Sequence, residues 1–406
     1  MSSGVVILLA LCAGLLAGAL LGHHPGDAGR HARGHRTLGA LWLNGLRVTV
    51  LPLVFALLVT GVGTVRDSAA GGRVAARSIG WFVVLLAGSA SLAALLVPLA
   101  LRLVPVDPGA AAALRAGAGA AGVHVPAPPP LGQWLQGLVP SNVFESAAKG
   151  DLLQLVIFAL LFGFAATRVA ASRREPLLQF FQGVVDTMLV IVHWVLWLAP
   201  VGVFALAVEL GRQGGLRSAG AVGHYLVLAC GASCCILLAS YALAAYARVP
   251  PSSFARAALP SQVLALGTRS SLACLTAMLE AARGPLRIPE SVSAVTLPLA
   301  VSLFRATSPI VNLTVVLFVA HVQGVEIGLA PLVAGVLVAT VTNFAIVSLP
   351  SQITFFTTTV PISIAMGVPT DILPLLLAVE FVSDLFRTVG NVSADLAVTA
   401  LVARKA

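Results

Sequence analysis

Six apolar runs in the first 250 residues constrain this fold more than any other feature of the sequence. Each run is long enough for a helix to cross the hydrocarbon core of a bilayer, which takes about 20 residues. Lipid offers the backbone no hydrogen bonds, so we expect these runs to form α-helices that satisfy their own N–H and C=O groups. The runs occupy residues 4–22, 38–63, 78–104, 152–171, 187–210 and 220–246.

The composition agrees with a membrane protein. Of the 406 residues, 58% are hydrophobic and 10% are charged, whereas a soluble domain carries about 25% charged residues. The net charge of +9 comes from basic residues scattered between the apolar runs, so we assign them to loops and lipid headgroups rather than to nucleic acid.

Most of these basic residues fall on the cytoplasmic side of the membrane if the N-terminus is cytoplasmic, but the His- and Arg-rich loop at 23–36 breaks this pattern. The Ala- and Pro-rich link at 106–140 is expected to be irregular.

Two apolar segments after residue 250 are interrupted by residues that favour turns. Residues 259–282 contain the sequence Gly-Thr-Arg-Ser-Ser, and residues 341–369 contain Ser-Leu-Pro-Ser. Both interruptions indicate hairpins that enter the membrane and turn back, because irregular backbone at that depth is tolerated only inside protein or beside a water-filled cavity. Such a pair of broken segments is the sequence feature that best indicates the binding site of a transporter.

A stripe of polar side chains follows in the last apolar segment. Its members are spaced so that they fall within about 80° of one helix face: Glu380, Asp384, Arg387, Asn391 and Asp395. A charge near the bilayer centre costs about 2.5–3.5 kcal/mol, so these groups must face each other, water or a ligand. A buried ladder of ion pairs would use Arg387 with Asp384 but would leave spare negative charge. A zwitterionic substrate bound together with a cation would use all of it.

Five segments, in the same order as in the family, resemble the dicarboxylate/amino acid:cation symporters, which include the glutamate and aspartate transporters. Three are similar to the family's second, fourth and fifth helices, one to the serine-rich tip of its first hairpin and one to its eighth helix. They are residues 41–62, 139–165, 185–208, 268–276 and 384–395. The resemblance implies an all-α polytopic membrane protein with eight transmembrane helices, two re-entrant helical hairpins and the elevator fold of the glutamate transporters.

The resemblance also implies two structural units. Residues 1–250 would be mostly scaffold, made of helices 1–6 and carrying the interface of a homotrimer, with helices 3 and 6 joining the transport domain. Residues 251–406 would form the core of that transport domain, which slides through the membrane. Its expected elements are hairpin 1 at about 256–283, helix 7 at about 291–322, hairpin 2 at about 330–366 and helix 8 at about 371–402. The chain is expected in the inner (plasma) membrane of a bacterial-type cell.

The family's substrate-binding residues can be carried over to matching positions. Asp384 would take the substrate ammonium group, and Arg387 would pair with a side-chain carboxylate, whose two oxygens suit its planar fork. Further hydrogen bonds to the substrate carboxylates would come from Thr388, Asn391, Ser270 and Ser271. In the alternative interpretation the two serines cap a buried turn, and Thr388 bonds back to its own helix.

The same resemblance implies a cation site. Asp395 would bind sodium together with the side chain of Asn391 and nearby carbonyls, while Glu380 would hold Arg387. A proton could serve in place of sodium, because a desolvated carboxyl such as Glu380 or Asp395 can take up a proton near neutral pH. No other cofactor is expected.

One segment departs from the family. Its seventh helix carries Asn-Met-Asp-Gly-Thr, whose groups bind sodium, whereas this chain has Phe-Arg-Ala-Thr-Ser at 304–308. An amide and a carboxylate are lost and a fixed cation, Arg305, is gained. The hydroxyl-rich patch of the third helix is reduced to Ser89 and Ser91. We therefore expect Arg305 to replace a bound sodium, facing Asp395 or Asp384. In the alternative it extends to a headgroup and one sodium site survives.

These residues predict a secondary active transporter of an acidic amino acid, aspartate or glutamate, with altered or reduced sodium coupling. Asp384 argues against a plain C4-dicarboxylate, which has no ammonium group, and Arg387 argues against a neutral amino acid, which has no second carboxylate. Transporters of those two classes, and a non-transporting membrane sensor or scaffold that keeps the site, remain the alternatives. An intramembrane hydrolase using Ser270 or Ser271 is disfavoured, since neither hairpin contains a histidine or lysine base and no Gly-x-Ser-x-Gly motif occurs. The chain is thus not expected to be an enzyme.

Overall fold

The computed structural model describes residues 3–21, most of 38–60, 72–117, 141–149, 152–214, 217–345 and 351–404. The regular elements within these residues are α-helices, and no strand occurs among them. Five helical segments in this part of the chain are long and apolar enough to cross a membrane, judged by length and composition. They are Arg73–Leu103, Ala171–Val195, Ala219–Tyr246, Glu290–Gln323 and Glu380–Arg404. An all-helical protein with several such helices is consistent with a polytopic membrane protein.

The described helices of the first 250 residues differ from the apolar runs in several of their bounds. They are α1 (Ser3–Leu21), α2 (Arg73–Leu103), α3 (Pro108–Gly117), α4 (Val143–Lys149), α5 (Leu152–Ala166), α6 (Ala171–Trp197), α7 (Ala199–Gly214) and α8 (Arg217–Tyr246). The expectation of one helix over 187–210 is wrong, because Pro200 cannot bond the carbonyl four residues earlier and its ring clashes with that carbonyl. The link at 106–140 contains α3, whose alanines favour a helix and whose first turn is capped by Asp107 Oδ1 at 2.8 Å from Ala110 N.

The remaining helices follow the predicted order of hairpins and spans. They are α9 (Pro251–Thr268), α10 (Leu275–Arg283), α11 (Glu290–Leu303), α12 (Thr307–Gln323), α13 (Leu329–Ala345), α14 (Ser351–Ala365), α15 (Leu373–Leu377) and α16 (Glu380–Arg404). The turn between α9 and α10 carries the Gly-Thr-Arg-Ser-Ser sequence and includes Arg269 in a left-handed conformation (φ 51°). The loop at 23–36 and the interruption of the second hairpin at 348–350 lie outside the described residues.

The predicted helices 7 and 8 are each divided. Helix 7 breaks at residues 304–306, between α11 and α12, because Pro309 cannot donate to the carbonyl of Arg305 and would clash with it. Helix 8 divides into the short α15 and the long α16. The break at 304–306 frees backbone groups at the end of α11 and at the start of α12, and those groups lie where the sequence departs from the family.

The core surrounds α16. Every residue of α16 from Gly390 to Val402 is buried, and the helix packs against α2, α8, α9 and α11. Gly390 brings α16 close to α12, since a Cβ atom at this position would lie 2.5 Å from Thr307 Cγ2. Residues 307–320 of α12 are likewise buried. The polar side chains of α16 therefore need partners inside the protein or on a ligand.

Candidate functional site

The centre of the site is a buried ion pair on α16. Arg387 is 5% exposed and Glu380 is fully buried, and Nη1 of Arg387 donates to Oε1 of Glu380. The other carboxylate oxygen accepts hydrogen bonds from the Tyr225 hydroxyl at 3.0 Å and from the Ser383 hydroxyl at 2.8 Å. Glu380 is therefore held by α8 and by its own helix while it binds the guanidinium.

The second terminal nitrogen of Arg387 binds α12. Nη2 donates to Asn312 Oδ1 at 2.9 Å and to Ser308 Oγ at 3.3 Å. Each of these acceptors lies on a helix that begins at the break after α11. The guanidinium thus joins α16 to α12, and through Glu380 to α8, so its position depends on three helices.

Asn391 closes the break between α11 and α12. Its side-chain oxygen accepts from the backbone N of Thr307 at 3.0 Å and from the Thr307 hydroxyl at 2.9 Å. This is the bonding pattern of a cap at the N-terminus of α12, supplied from another helix. Ser89 of α2 completes the break from the other side, donating to the carbonyl of Ala306 at 2.6 Å. The described geometry therefore uses the Asn391 oxygen within the protein.

Asp395 is the strongest candidate for binding a small cation or a proton. It is fully buried, and neither carboxylate oxygen has a hydrogen-bond partner among the described residues. Burying a carboxylate in this way is unfavourable without a counter-charge or a proton. Oxygen ligands suit a hard cation, so the carboxylate fits sodium, although the Asn391 oxygen expected beside it is engaged by Thr307. In the described part of the chain, no three or more His, Cys, Asp or Glu side chains lie close enough together to hold one metal ion.

Arg305 lies in the break at 304–306 and faces the site. Its Nη1 donates to Thr354 Oγ1 on α14 at 3.3 Å. Its charge interacts with the carboxylates of Asp384 and Asp395 and with the charge of Arg387. Since Thr354 is buried, this hydrogen bond draws one end of the guanidinium towards α14.

Asp384 is partly buried and lies among several charges. Its carboxylate interacts with Arg387, Glu380, Arg305 and Arg269. Arg269 lies in the first hairpin turn, where its guanidinium stacks over the Phe381 ring at 4.5 Å from the ring centre.

These charged side chains form what we call the charge cluster, three arginines and three carboxylates: Arg269, Arg305, Arg387, Glu380, Asp384 and Asp395.

The hydroxyls of Thr388 and Ser270 make hydrogen bonds to nearby backbone groups. The Thr388 hydroxyl donates to the carbonyl of Asp384 at 2.9 Å, within its own helix. Ser270 Oγ accepts from the backbone N of Ala273 at 3.3 Å, as in a capped turn, and the Ser271 carbonyl accepts from Cys274 N at 3.1 Å. Both serine side chains are partly exposed.

Several residues of the network were not singled out from the sequence. Tyr225, Asn312 and Thr354 each bind a charged member of the site. The available signal was weak: a single tyrosine or asparagine within an apolar run requires a polar partner once it is buried. Nothing in the local sequence indicates which partner that is.

Comparison with known proteins identifies the family. The model of the "Sodium:dicarboxylate symporter family" matches residues 5–405. The chain is 26% identical to the "Proton/glutamate-aspartate symporter" of Escherichia coli (strain K12), over 98% of this chain and 91% of that protein. It is 28% identical to the "Neutral amino acid transporter B(0)" of Homo sapiens, over 97% and 79%. It is also 26% identical to the "C4-dicarboxylate transport protein" of Rhodopseudomonas palustris (strain HaA2), over 84% and 74%.

The relatives are transporters of glutamate and aspartate, of neutral amino acids and of C4-dicarboxylates, and none of these three is an enzyme. A family match along nearly the whole chain, together with several apolar helices, indicates a small-molecule substrate, a coupling cation and a lipid environment. The chain belongs to the sodium:dicarboxylate symporter family, and it is accordingly a multi-pass membrane transporter that couples a dicarboxylate or an amino acid to a cation.

Proposed function

We propose that this protein is a secondary active transporter of an acidic amino acid, aspartate or glutamate, in the inner membrane of a bacterial-type cell. The observation that carries the proposal is the placement of a buried guanidinium and a carboxylate one turn apart on α16. Arg387 would bind the side-chain carboxylate of the substrate, and Asp384 would bind its ammonium group. Ser270, Ser271, Thr388 and Asn391 would provide further hydrogen bonds.

The occupied state of Arg387 is compatible with substrate binding. A guanidinium has five N–H groups, and three of its hydrogen bonds go to Glu380, Asn312 and Ser308. Within the described part of the chain, two N–H groups therefore remain for substrate oxygens. Because those two donors are free, binding of a carboxylate does not require the arginine to leave its buried position.

The relatives do not decide the substrate class, since they transport all three kinds of substrate at similar identity to this chain. In this proposal the substrate class follows from the charges of Asp384 and Arg387. A C4-dicarboxylate would leave Asp384 facing a second negative group, and a neutral amino acid would leave Arg387 without a substrate carboxylate. Like charges at short distance are unfavourable in a site shielded from water. An acidic amino acid satisfies both residues.

The charge cluster supports reduced sodium coupling. Its three arginines balance its three carboxylates, so the site reaches electrical neutrality without several bound ions. An acidic amino acid adds one negative charge, which one sodium ion or one proton can compensate. We assign that cation to Asp395, near Asn391, because the Asp395 carboxylate is buried without a hydrogen-bond partner among the described residues. Glu380 is the second candidate for the proton.

An elevator mechanism is proposed on the packing of the helices. α2 packs against α11, α12 and α13, and α8 packs against α12 and α16. This supports grouping α2 and α8 with residues 251–406 as the transport domain, with the other helices of residues 1–250 as a scaffold. Eight spans, two hairpins and a homotrimer complete the proposed architecture.

Uptake into proteoliposomes tests the function. Radiolabelled aspartate, glutamate, succinate and serine are offered to the purified protein, with sodium and pH gradients imposed separately. We expect accumulation of aspartate or glutamate under one of the two gradients. Accumulation of succinate or serine alone would contradict the assignment, and binding of aspartate without accumulation would indicate a sensor or scaffold.

A further inference from the structure

The side chain of Asn312 combines a defined orientation with an unused donor. It is fully buried on α12, and its Oδ1 accepts from Nη2 of Arg387 at 2.9 Å. A guanidinium can only donate hydrogen bonds, so the amide must turn its oxygen towards Arg387. Its NH2 group, bonded to the same carbon, is then free to donate to another acceptor.

That NH2 group has no acceptor among the described residues. The surrounding face of α12 is buried and consists mainly of aliphatic side chains, in which an unpaired amide is unfavourable. If Asn312 served only to hold Arg387, its oxygen would be sufficient and the NH2 group would have no role. The unpaired donor therefore indicates an acceptor that arrives during the transport cycle.

The chemistry of that acceptor follows from its neighbour. Arg387 attracts an anionic group, and a carboxylate has two oxygens with several lone pairs. One oxygen can accept from Arg387 while the other accepts from the Asn312 amide.

The geometry points to Asn312 as a specificity-determining residue, which fixes Arg387 through Oδ1 and donates through Nδ2 to the side-chain carboxylate of the substrate. This inference rests on the proposed function and extends it to a choice between acid and amide substrates. A carboxylate offers acceptors only, whereas the side chain of asparagine or glutamine would direct its own NH2 group at one of the two donors. A site built from two donors rejects such an analogue because its buried groups are then left unpaired.

Calorimetric titration of the purified full-length protein with L-aspartate and L-asparagine tests the inference. The variants are Asn312→Leu, which matches the shape of the side chain without its polar atoms, and Asn312→Ala, which avoids any clash if the first variant fails to fold. We expect both to weaken aspartate binding about 10- to 100-fold, as for the loss of hydrogen bonds to a charged group. Asparagine binding should change less than about threefold, so the preference for the acid falls.

Thr314→Val is the matched control. Thr314 is fully buried on the same helix, and its hydroxyl donates to the carbonyl of Ile310 at 2.7 Å within that helix, so the aspartate preference should be unchanged. Equal weakening of aspartate and asparagine in the Asn312 variants, or no change in either, would overturn the inference and leave the proposed function intact. A parent protein that binds neither aspartate nor glutamate would instead refute the proposed function on which the inference rests.

Discussion

The hydroxyl of Tyr225 donates a hydrogen bond of 3.0 Å to Oε2 of Glu380, joining α8 to the first residue of α16. Both side chains are fully buried, and they are separated by 155 positions in the sequence. The contact matters because the other oxygen of Glu380 binds Arg387. A residue that is distant in sequence from the polar stripe thus helps to orient the guanidinium of Arg387, on which the proposed substrate class depends.

Replacing Tyr225 by phenylalanine should loosen Arg387 without removing a charge. Among the described residues Ser383 would then be left to bind Oε2, and the loss of one hydrogen bond to a buried charged group should destabilise the protein by about 1.5–3 kcal/mol. We expect a lower thermal unfolding temperature in detergent and an aspartate affinity reduced several-fold. Tyr241→Phe is the matched control on the same helix, since the Tyr241 ring packs edge-on against Phe254. Equal effects of the two substitutions would show that the Glu380 contact has no special role.

Arg387 is expected to set the substrate class. Arg387→Ser should abolish acidic amino acid uptake, a loss of at least about 100-fold, because the partner of the substrate carboxylate is gone. The measurement is uptake of radiolabelled aspartate and serine into proteoliposomes.

The single substitution also leaves Glu380 buried without its cation, which costs about 3–5 kcal/mol. The double variant Arg387→Ser with Glu380→Gln removes that penalty and separates loss of recognition from loss of folding. We expect the double variant to be folded, to exclude aspartate and to admit serine or alanine. Aspartate uptake at the parent's affinity in either variant would rule out this role for Arg387.

Asp384 is expected to be needed for amino acids specifically. Asp384→Asn removes the negative charge that would face the substrate ammonium group and should weaken aspartate binding about 10-fold or more. Succinate has no ammonium group, so any binding of succinate should weaken far less or improve. The measurement is calorimetric titration with both ligands. Parallel losses for aspartate and succinate would argue that Asp384 only maintains the charge balance with its neighbouring arginines.

The polar stripe of α16 could be predicted from the sequence because the spacing of residues on one helix is a local property. The partners of the stripe could not be predicted in this way. Tyr225 and Asn312 lie 155 and 75 positions from the residues that they bind, and helix packing, not spacing, brings them there. The helix break before Pro309 could have been predicted, since a proline at that position removes a backbone hydrogen bond. We predicted one continuous helix because the apolar residues continue on both sides of the break.

The charge balance of the site differs between the sequence prediction and the structure. The stripe alone contains three acids and one arginine, which suggested spare negative charge. The structure adds Arg269 from the first hairpin turn and Arg305 from the break in helix 7, so that the cluster contains as many arginines as carboxylates. Arg305 was expected to face Asp395 or Asp384. Its described hydrogen bond goes to Thr354 Oγ1 at 3.3 Å, so that expectation stays a prediction.

The last prediction concerns the sodium dependence that follows from this balance. An arginine is permanently charged and cannot dissociate, so Arg305 would supply continuously the charge that a bound ion supplies only when present. We expect the aspartate affinity of the purified parent protein to change less than about threefold when choline replaces sodium. The reason is that aspartate binding would not depend on the simultaneous binding of a sodium ion. In Arg305→Met, aspartate binding should be lost in choline and partly restored by sodium. Arg283→Met is the matched control, because Arg283 forms an exposed ion pair with Glu290 at 2.8 Å and should leave the sodium dependence unchanged. A steep sodium dependence in the parent, with more than one ion bound per substrate, would show that Arg305 does not replace the ion.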